Sequence, residues 1–162
     1  MKDANHFLVF MLDERTFALP LEPVERVVRA VEVTPLPEVP DIVSGIINYK
    51  GTILPVINIR SRFHLPKREM QLNHQFIIVQ TAKRLIALLT DTVTGSIETP
   101  AADVVPPSNI IEDMAFLQGV LKMKDGVMLI PDLDNILTAK EGRALAKALK
   151  RTRKTKIKRT AK

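Results

Sequence analysis

Apolar residues along the chain gather into short runs, each four to seven residues long, separated by charged turns and prolines. Phe7–Leu12, Thr16–Leu21, Ile46–Tyr49, Ile53–Ile59, Phe76–Gln80, Leu85–Leu89 and Val127–Ile130 are rich in Val, Ile, Leu and Phe and have the length of strands. Asp13-Glu14-Arg15 divides the first two as a tight polar turn. Helical periodicity is sparse. Pro40-Asp41 before Ile42-Val43 predicts one short helical turn and Asp132–Leu137 another, while eleven prolines argue against long helices. The class is mostly β.

The runs recur. At an offset of 69, Phe7 falls on Phe76, Val9 on Ile78, Arg15 on Arg84, Phe17 on Ile86, Leu19 on Leu88, Val24 on Val93 and Val28 on Ile97. At an offset of 74, Gly45 falls on Gly119, Ile46 on Val120, Lys50 on Lys124, Ile53 on Val127, Val56 on Ile130 and Asn58 on Asp132. The five-residue difference fits a longer connection in the second half, around 101–113. The order of strand, turn, strand, glycine and hairpin is kept in both halves, which predicts two similar small β-barrels, about 13–65 and 70–137, within one domain spanning 1–138. After 138 the pattern changes: Ala144, Leu145, Ala148 and Leu149 form the apolar stripe of a short helix, and the residues beyond it are expected to be disordered.

Charge sharpens that boundary. Residues 140–162 hold eleven Lys or Arg against Glu141 alone, a balance of +10, which leaves 13 basic and 17 acidic residues, or −4, in residues 1–139. A mildly acidic body thus carries a basic tail spanning 139–162. The tail is expected either to remain solvated or to meet an anionic partner, whether nucleic acid, an anionic membrane or an acidic protein; it has no aromatic residue for base stacking. With 46% hydrophobic residues the body has the composition of a globular domain. Its longest apolar runs, such as FLVFML at 7–12, fall short of the roughly 18 residues needed to span a bilayer. Asp3 and the absence of a small-residue cleavage site predict no secretory signal, and the lack of cysteine suits a reducing cytoplasm.

Candidate chemistry is thin. His6, His64 and His74 have no Cys, Asp or Glu at metal-ligand spacing and read as surface or capping residues. Ser44, Ser61 and Ser108 lack a nucleophile-elbow context. Asp132 and Asp134 are not followed by the residues of a calcium loop. The expectation is a protein without catalysis, cofactor, metal or small-molecule substrate. The one segment that invites a role is VSGIINYKGTILPVINI at 43–59. Asn48 opening a turn, Tyr49 and Lys50 right-handed and Gly51 at positive φ would form a type I turn closed by a glycine bulge. On that reading Gly51 serves the backbone and Lys50 is left free for a partner. Pro55 removes a ladder donor and predicts a bulge or an edge. The prolines of VTPLPEVPDI at 33–42 stiffen an extended connection.

FLVFMLDERTFALPLEPVERVVR, TPLPEVPDIVSGIINYKGTILPVINIRSRF, IALLTDTVTG and LQGVLKMKDGVMLIPDLDNIL together resemble the CheW-like domain of chemotaxis, over about residues 7–138 and in the family's order. GIINYKG stands for the family's Gly-Val-Ile-Asn-x-Arg-Gly hairpin and PVINI for its Pro-Val-Ile-Asp-Leu strand. The resemblance implies two SH3-like five-stranded β-barrels packed together. It also implies a non-catalytic cytoplasmic adaptor, associated with membrane receptor arrays through its partners. Those partners would be the cytoplasmic tip of a methyl-accepting receptor and the regulatory domain of a CheA-type histidine kinase. The implied contact residues are Asn48, Tyr49, Lys50 and Gly51 at the hairpin tip, Val24, Val27 and Val28 in the first barrel's groove-lining segment, and Asp91 and Val93 in the second's. Lys50 stands for an arginine, Asn58 for an aspartate, and Arg26 and Gly95 for acids, changes that fit a divergent receptor-kinase pathway such as one governing surface motility as the alternative. The rival from another class is a nucleic-acid- or membrane-associating β-barrel protein acting through the tail.

Overall fold

A computed structural model describes residues 4–106 and 116–160, with side chains described for 5–106 and 116–152. Eleven strands occur among the described residues: β1 (Ala4–Leu12), β2 (Arg15–Pro20), β3 (Val24–Arg29), β4 (Val43–Tyr49), β5 (Thr52–Ile57), β6 (Gln75–Gln80), β7 (Leu85–Thr90), β8 (Thr92–Pro100), β9 (Val104–Val105), β10 (Leu117–Met123) and β11 (Gly126–Pro131). Five-residue and three-residue 3-10 turns lie at Ile59–Phe63 and Ala101–Asp103, and one α-helix, α1 (Ala139–Thr160), ends the described chain. The helix extends through the segment expected to be disordered. Asp132–Leu137 and Pro40-Asp41-Ile42 are turns rather than helix. Asn58 and Asp132 begin corresponding segments, but only Asn58 caps a helical turn, accepting from the Arg60 N–H at 3.1 Å.

Every predicted strand is present, although the Ile53–Ile59 run ends at Ile57 before the 3-10 turn. Beyond the two-residue β9, and β10, which the repeat alone implied, the strands that no apolar run announced are β3, with only intermediate and exposed residues, and β8, which has a single buried residue. Both are edge strands, so most of their side chains remain at or near the surface.

The strands form two sheets, ordered β8-β1-β2-β11-β10-β9 and β3-β6-β7-β5-β4. This agrees with an SH3-like pair, with one correction to the strand count: β9 makes the first sheet six-stranded, while its counterpart in the second is a single bridge between Thr34 and Ile46. The division at 65–70 is also corrected. One sheet takes β1 and β2 from the first half and β8 to β11 from the second; the other takes β3, β4 and β5 from the first half and β6 and β7 from the second. The opening hairpin of each half has been exchanged. Because the halves share one pattern, the apolar spacing suits either hairpin in either sheet. The three-residue link Leu21-Glu22-Pro23 and Asp91 carry the chain across between sheets.

The duplication extends to register. Phe7 pairs with Pro20 and Ile97, and Phe76 with Leu89 and Val28, the same positions shifted by 69. Register shifts fall at matching places, between Val9 and Phe10 against β8 and between Val24 and Arg26 against β6. Pro55 lies in the part of β5 that precedes its pairing with β7, so its missing N–H breaks no bond to that strand. The largest cluster lies between the sheets and joins Phe10, Phe17 and Leu19 to Ile57, Ile77 and Leu88, all essentially inaccessible to water. Such burial is worth roughly 1.5–3 kcal/mol per large side chain. Smaller clusters around Phe76 and around Phe7 fill the individual sheets.

Candidate functional site

The β4–β5 hairpin has a two-residue loop, because Tyr49 pairs with Thr52. Lys50 and Gly51 both have positive φ, 50° and 87°. That makes a type I′ turn, whose twist matches the strands it joins, in place of the type I turn with a bulge. Asn48 does open the turn, its Oδ1 accepting from the Gly51 N–H at 2.8 Å. Lys50 is therefore not free of backbone demands. It occupies a conformation that costs a side chain other than Gly, Asn or Asp about 1 kcal/mol. Its Nζ lies 5.4 Å from the centroid of the Tyr49 ring, an exposed cation–π contact too weak to outweigh that cost by much. The Tyr49 hydroxyl is shut off from solvent, with the Glu25 carboxylate close enough to interact with it. Burial, and after it the nearby Glu25 carboxylate, push the phenol above its ordinary range. The charges of Glu25 and Arg26 act on Tyr49, so the hairpin tip and the start of β3 share one corner of the molecule.

At that corner the shift between Val24 and Arg26 inserts Glu25 as an extra residue, and Glu25 and Arg26 are consecutively exposed instead of alternating. Val24 and Val27 are half-buried against the cluster between the sheets, and Val28 against the cluster around Phe76. Val93, the counterpart of Val24, packs against the first of these too. Of the residues singled out from the sequence, Asn48 to Gly51 thus share the tip, Val24, Val27 and Val93 each border the cluster between the sheets, and Val28 borders the other one.

Asp91 does something else. Its carboxylate accepts from Arg60, whose side chain is 4% exposed, and from the Asp13 N–H at 2.6 Å. Arg60 also donates to Asp13 Oδ2 at 2.8 Å, and Arg68 reaches Asp13 at 2.8 Å and Asp91 at 3.6 Å. His74 Nε2 lies 3.8 Å from Asp91, while its Nδ1 accepts from the Gln71 N–H at 3.1 Å. Burial works against ionised Asp91, but the Arg60 and Asp13 hydrogen bonds and the nearby positive charge outweigh it and hold its carboxyl below the usual range. Asp91 ties the crossover between sheets to the β1–β2 turn and to the 3-10 turn after β5. His64 caps that 3-10 turn as expected, at φ 56°, whereas His74 is buried in the cluster rather than at the surface. Sequence reading missed Arg60, Asp13 and Arg68; they are 47 and 55 residues apart along the chain, and nothing local marks the pairing. The described residues hold no grouping of acids and histidines that could bind a metal ion, and no helix long and apolar enough to cross a membrane.

The exchanged pair of sheets, with a glycine-led hairpin in each, is also the arrangement of a known family. The model of the CheW-like domain matches residues 6–141. The chain belongs to the CheW-like family. The chemotaxis protein CheW of Rhizobium meliloti is 26% identical over 142 residues, covering 86% of this chain and 92% of the relative. Protein FrzA of Myxococcus xanthus is 32% identical over 105 residues, 64% of each. The crystal structure of the scaffolding protein TtCheW from Thermoanaerobacter tengcongensis superposes with a TM-score of 0.77 at 31% identity, covering 85% of this chain and 94% of that one. Helix α1 begins inside the matched CheW-like region and runs nineteen residues beyond it, from 142 to 160.

Proposed function

We propose that this CheW-like protein is a non-catalytic adaptor that couples methyl-accepting receptors to a CheA-type histidine kinase through simultaneous protein contacts. The observation that carries the reading is the match to the CheW-like domain over residues 6–141, which takes in both sheets and the hairpin tip. The physical work is binding alone. The tip offers a cation held in a conformation that its backbone disfavours, and strain retained at an exposed residue points to a role outside the fold. The half-buried valines at the seam offer an apolar strip with the charged Glu25 and Arg26 beside it, the pattern of an apolar contact with a polar rim. Asp91, engaged in the ion cluster, supports the seam from within and is not itself a contact in this reading.

The changed charges at Arg26 and Asn58 favour a second version of the same role, in which the receptor and kinase belong to a pathway other than chemotaxis. Arg26 and Asn58 would then belong to a differently charged partner surface. The test is reconstitution of receptor tips with a CheA-type kinase, following autophosphorylation with and without this protein. Stimulated phosphorylation that is lost in Lys50→Glu is the expected result. Failure to bind either partner refutes coupling, and stimulation only with components of a non-chemotaxis pathway selects the second version.

A further inference from the structure

Helix α1 is anchored on one side and charged on another. Leu145 and Ala148 are buried, Leu145 in the cluster between the sheets, and Leu149 packs against that cluster. Thr138 and Glu141 close a capping box at the helix start, with hydrogen bonds of 3.1 and 2.9 Å. Glu141 also accepts from Arg62, whose guanidinium stacks 4.7 Å from the Phe116 ring centroid and donates to the Ile136 carbonyl at 2.9 Å. Burial disfavours ionised Glu141, yet the hydrogen bonds from Arg62 and Thr138 outweigh it and hold the carboxyl below its ordinary range. The only acid of the helix is therefore committed to the anchor.

Lys140, Arg143, Lys147 and Lys150 are all exposed. Their alternating spacing of three and four puts them on one face, and the sequence carries the spacing on to Lys154. Among the described residues none of the four is in an ion pair. Like charges three and four apart repel along a helix, and Lys140 in the first turn opposes the helix dipole. The row works against the helix that displays it, and the anchor keeps it in place.

We propose that the row Lys140, Arg143, Lys147, Lys150 docks an acidic helix of a partner protein, one with carboxylates three and four residues apart along one face. A helix has the matching repeat of charge and is narrow enough to meet the row alone. A broad polyanion also meets the body, whose residues 1–139 carry −4 and repel it. A bilayer would receive no apolar insertion, because the apolar side of the helix is already buried in the protein. A duplex groove cannot admit the first turns of α1 for the same reason. The inference is independent of kinase coupling, which the tip and seam can perform with this face neutralised.

The test uses the full chain and two labelled alanine-based helical peptides. One carries glutamates at alternating spacings of three and four, the other the same composition with the glutamates spread around the helix. The striped peptide is expected to bind about ten-fold tighter, from several weak exposed ion pairs acting together. That advantage should fade as salt rises. It should also vanish in the quadruple variants K140Q/R143Q/K147Q/K150Q and K140E/R143E/K147E/K150E, which leave the anchor untouched and whose folding is checked by thermal melting. Equal binding of the two peptides overturns the proposal. So does tighter binding to phosphatidylcholine vesicles with about a third phosphatidylserine, or to a DNA duplex, than to the striped peptide.

Discussion

Hairpins β4–β5 and β10–β11 both carry, as the third residue of their first strand, a glycine beside a register shift, Gly45 and Gly119, and both turn through a two-residue loop led by a lysine, Lys50 and Lys124. Each glycine lies under a short neighbouring segment, Thr34 in one sheet and Val104-Val105 in the other. The tips then diverge. Lys124 and Asp125 have no positive φ, whereas Lys50 and Gly51 both do. The surroundings diverge too: near the first hairpin, Asp13 and Asp91 enclose Arg60, while at the matching place in the other half Ala82 and Asp134 share one hydrogen bond of 2.8 Å. Features present in both copies serve the fold they share. Those present in one copy need a separate explanation, which for the ion cluster is the fixing of one crossover and for Lys50 is the partner contact proposed above.

The largest effect should come from breaking the one-sided cluster. Arg60→Ala leaves two acids facing one another in a half-buried site and should cost about 3–5 kcal/mol. Asp134→Ala, at the equivalent place, removes a single exposed bond and should cost about 1 kcal/mol or less. Urea unfolding of the pair measures the difference, and similar losses would remove the claimed asymmetry. Next comes the shared glycine. A Cβ at Gly45 would overlap the Thr34 carbonyl oxygen and come within 2.8 Å of Val33 Cγ1, at a φ of 148°. Gly45→Ala should therefore destabilise by about 3 kcal/mol. At Gly119 the nearest atom would be the Val105 oxygen at 3.1 Å. Gly119→Ala should cost only about 1 kcal/mol.

A smaller effect follows from Asp91. Its pKa is depressed in the folded protein, so the native state binds fewer protons than the unfolded chain in the acid range. The resulting stability is complete above the unfolded carboxylate value of about 3.9 and is lost as pH falls through the lower folded value. Between about pH 5 and pH 3 the urea midpoint should fall less steeply in Asp91→Asn than in the parent. Equal slopes would show that the cluster is not linked to folding in this way.

How much of this could be read from the residues depends on where each constraint is written. The interior strands were legible because Phe7–Leu12 or Phe76–Gln80 bury nearly every side chain, and the repeat was legible because both copies keep Phe, Arg and Gly at fixed spacing. The edge strands β3 and β8 were not, since edges keep polar faces, and the exchange of hairpins was not, since two similar copies fit two pairings. At the site, the run Asn48 to Gly51 was legible as a hairpin tip, while the split that sends Val24 and Val27 to one cluster and Val28 to the other was not. The turn type was missed: Asn48-Tyr49-Lys50-Gly51 suits a type I turn with a bulge as well as type I′, and the choice rests on the pairing of Tyr49 with Thr52. The ion pairs of Asp91 were not legible, because Asp13, Arg60 and Arg68 are adjacent to it only once the sheets cross.

The smallest stability change is the most informative about function. Lys50→Asn places at φ 50° a residue that accepts that conformation, and it should stabilise the hairpin by about 0.5–1 kcal/mol. Lys124→Asn, at a position without positive φ, should change stability by no more than a few tenths. If the fold alone chose the tip, an asparagine in place of Lys50 would be neutral or favourable in every assay. If the lysine is kept for a partner, Lys50→Asn yields a more stable protein that has lost kinase stimulation, while Lys124→Asn stimulates normally. A Lys50→Asn protein that is stabilised and fully active would mean that the left-handed lysine has no bearing on coupling.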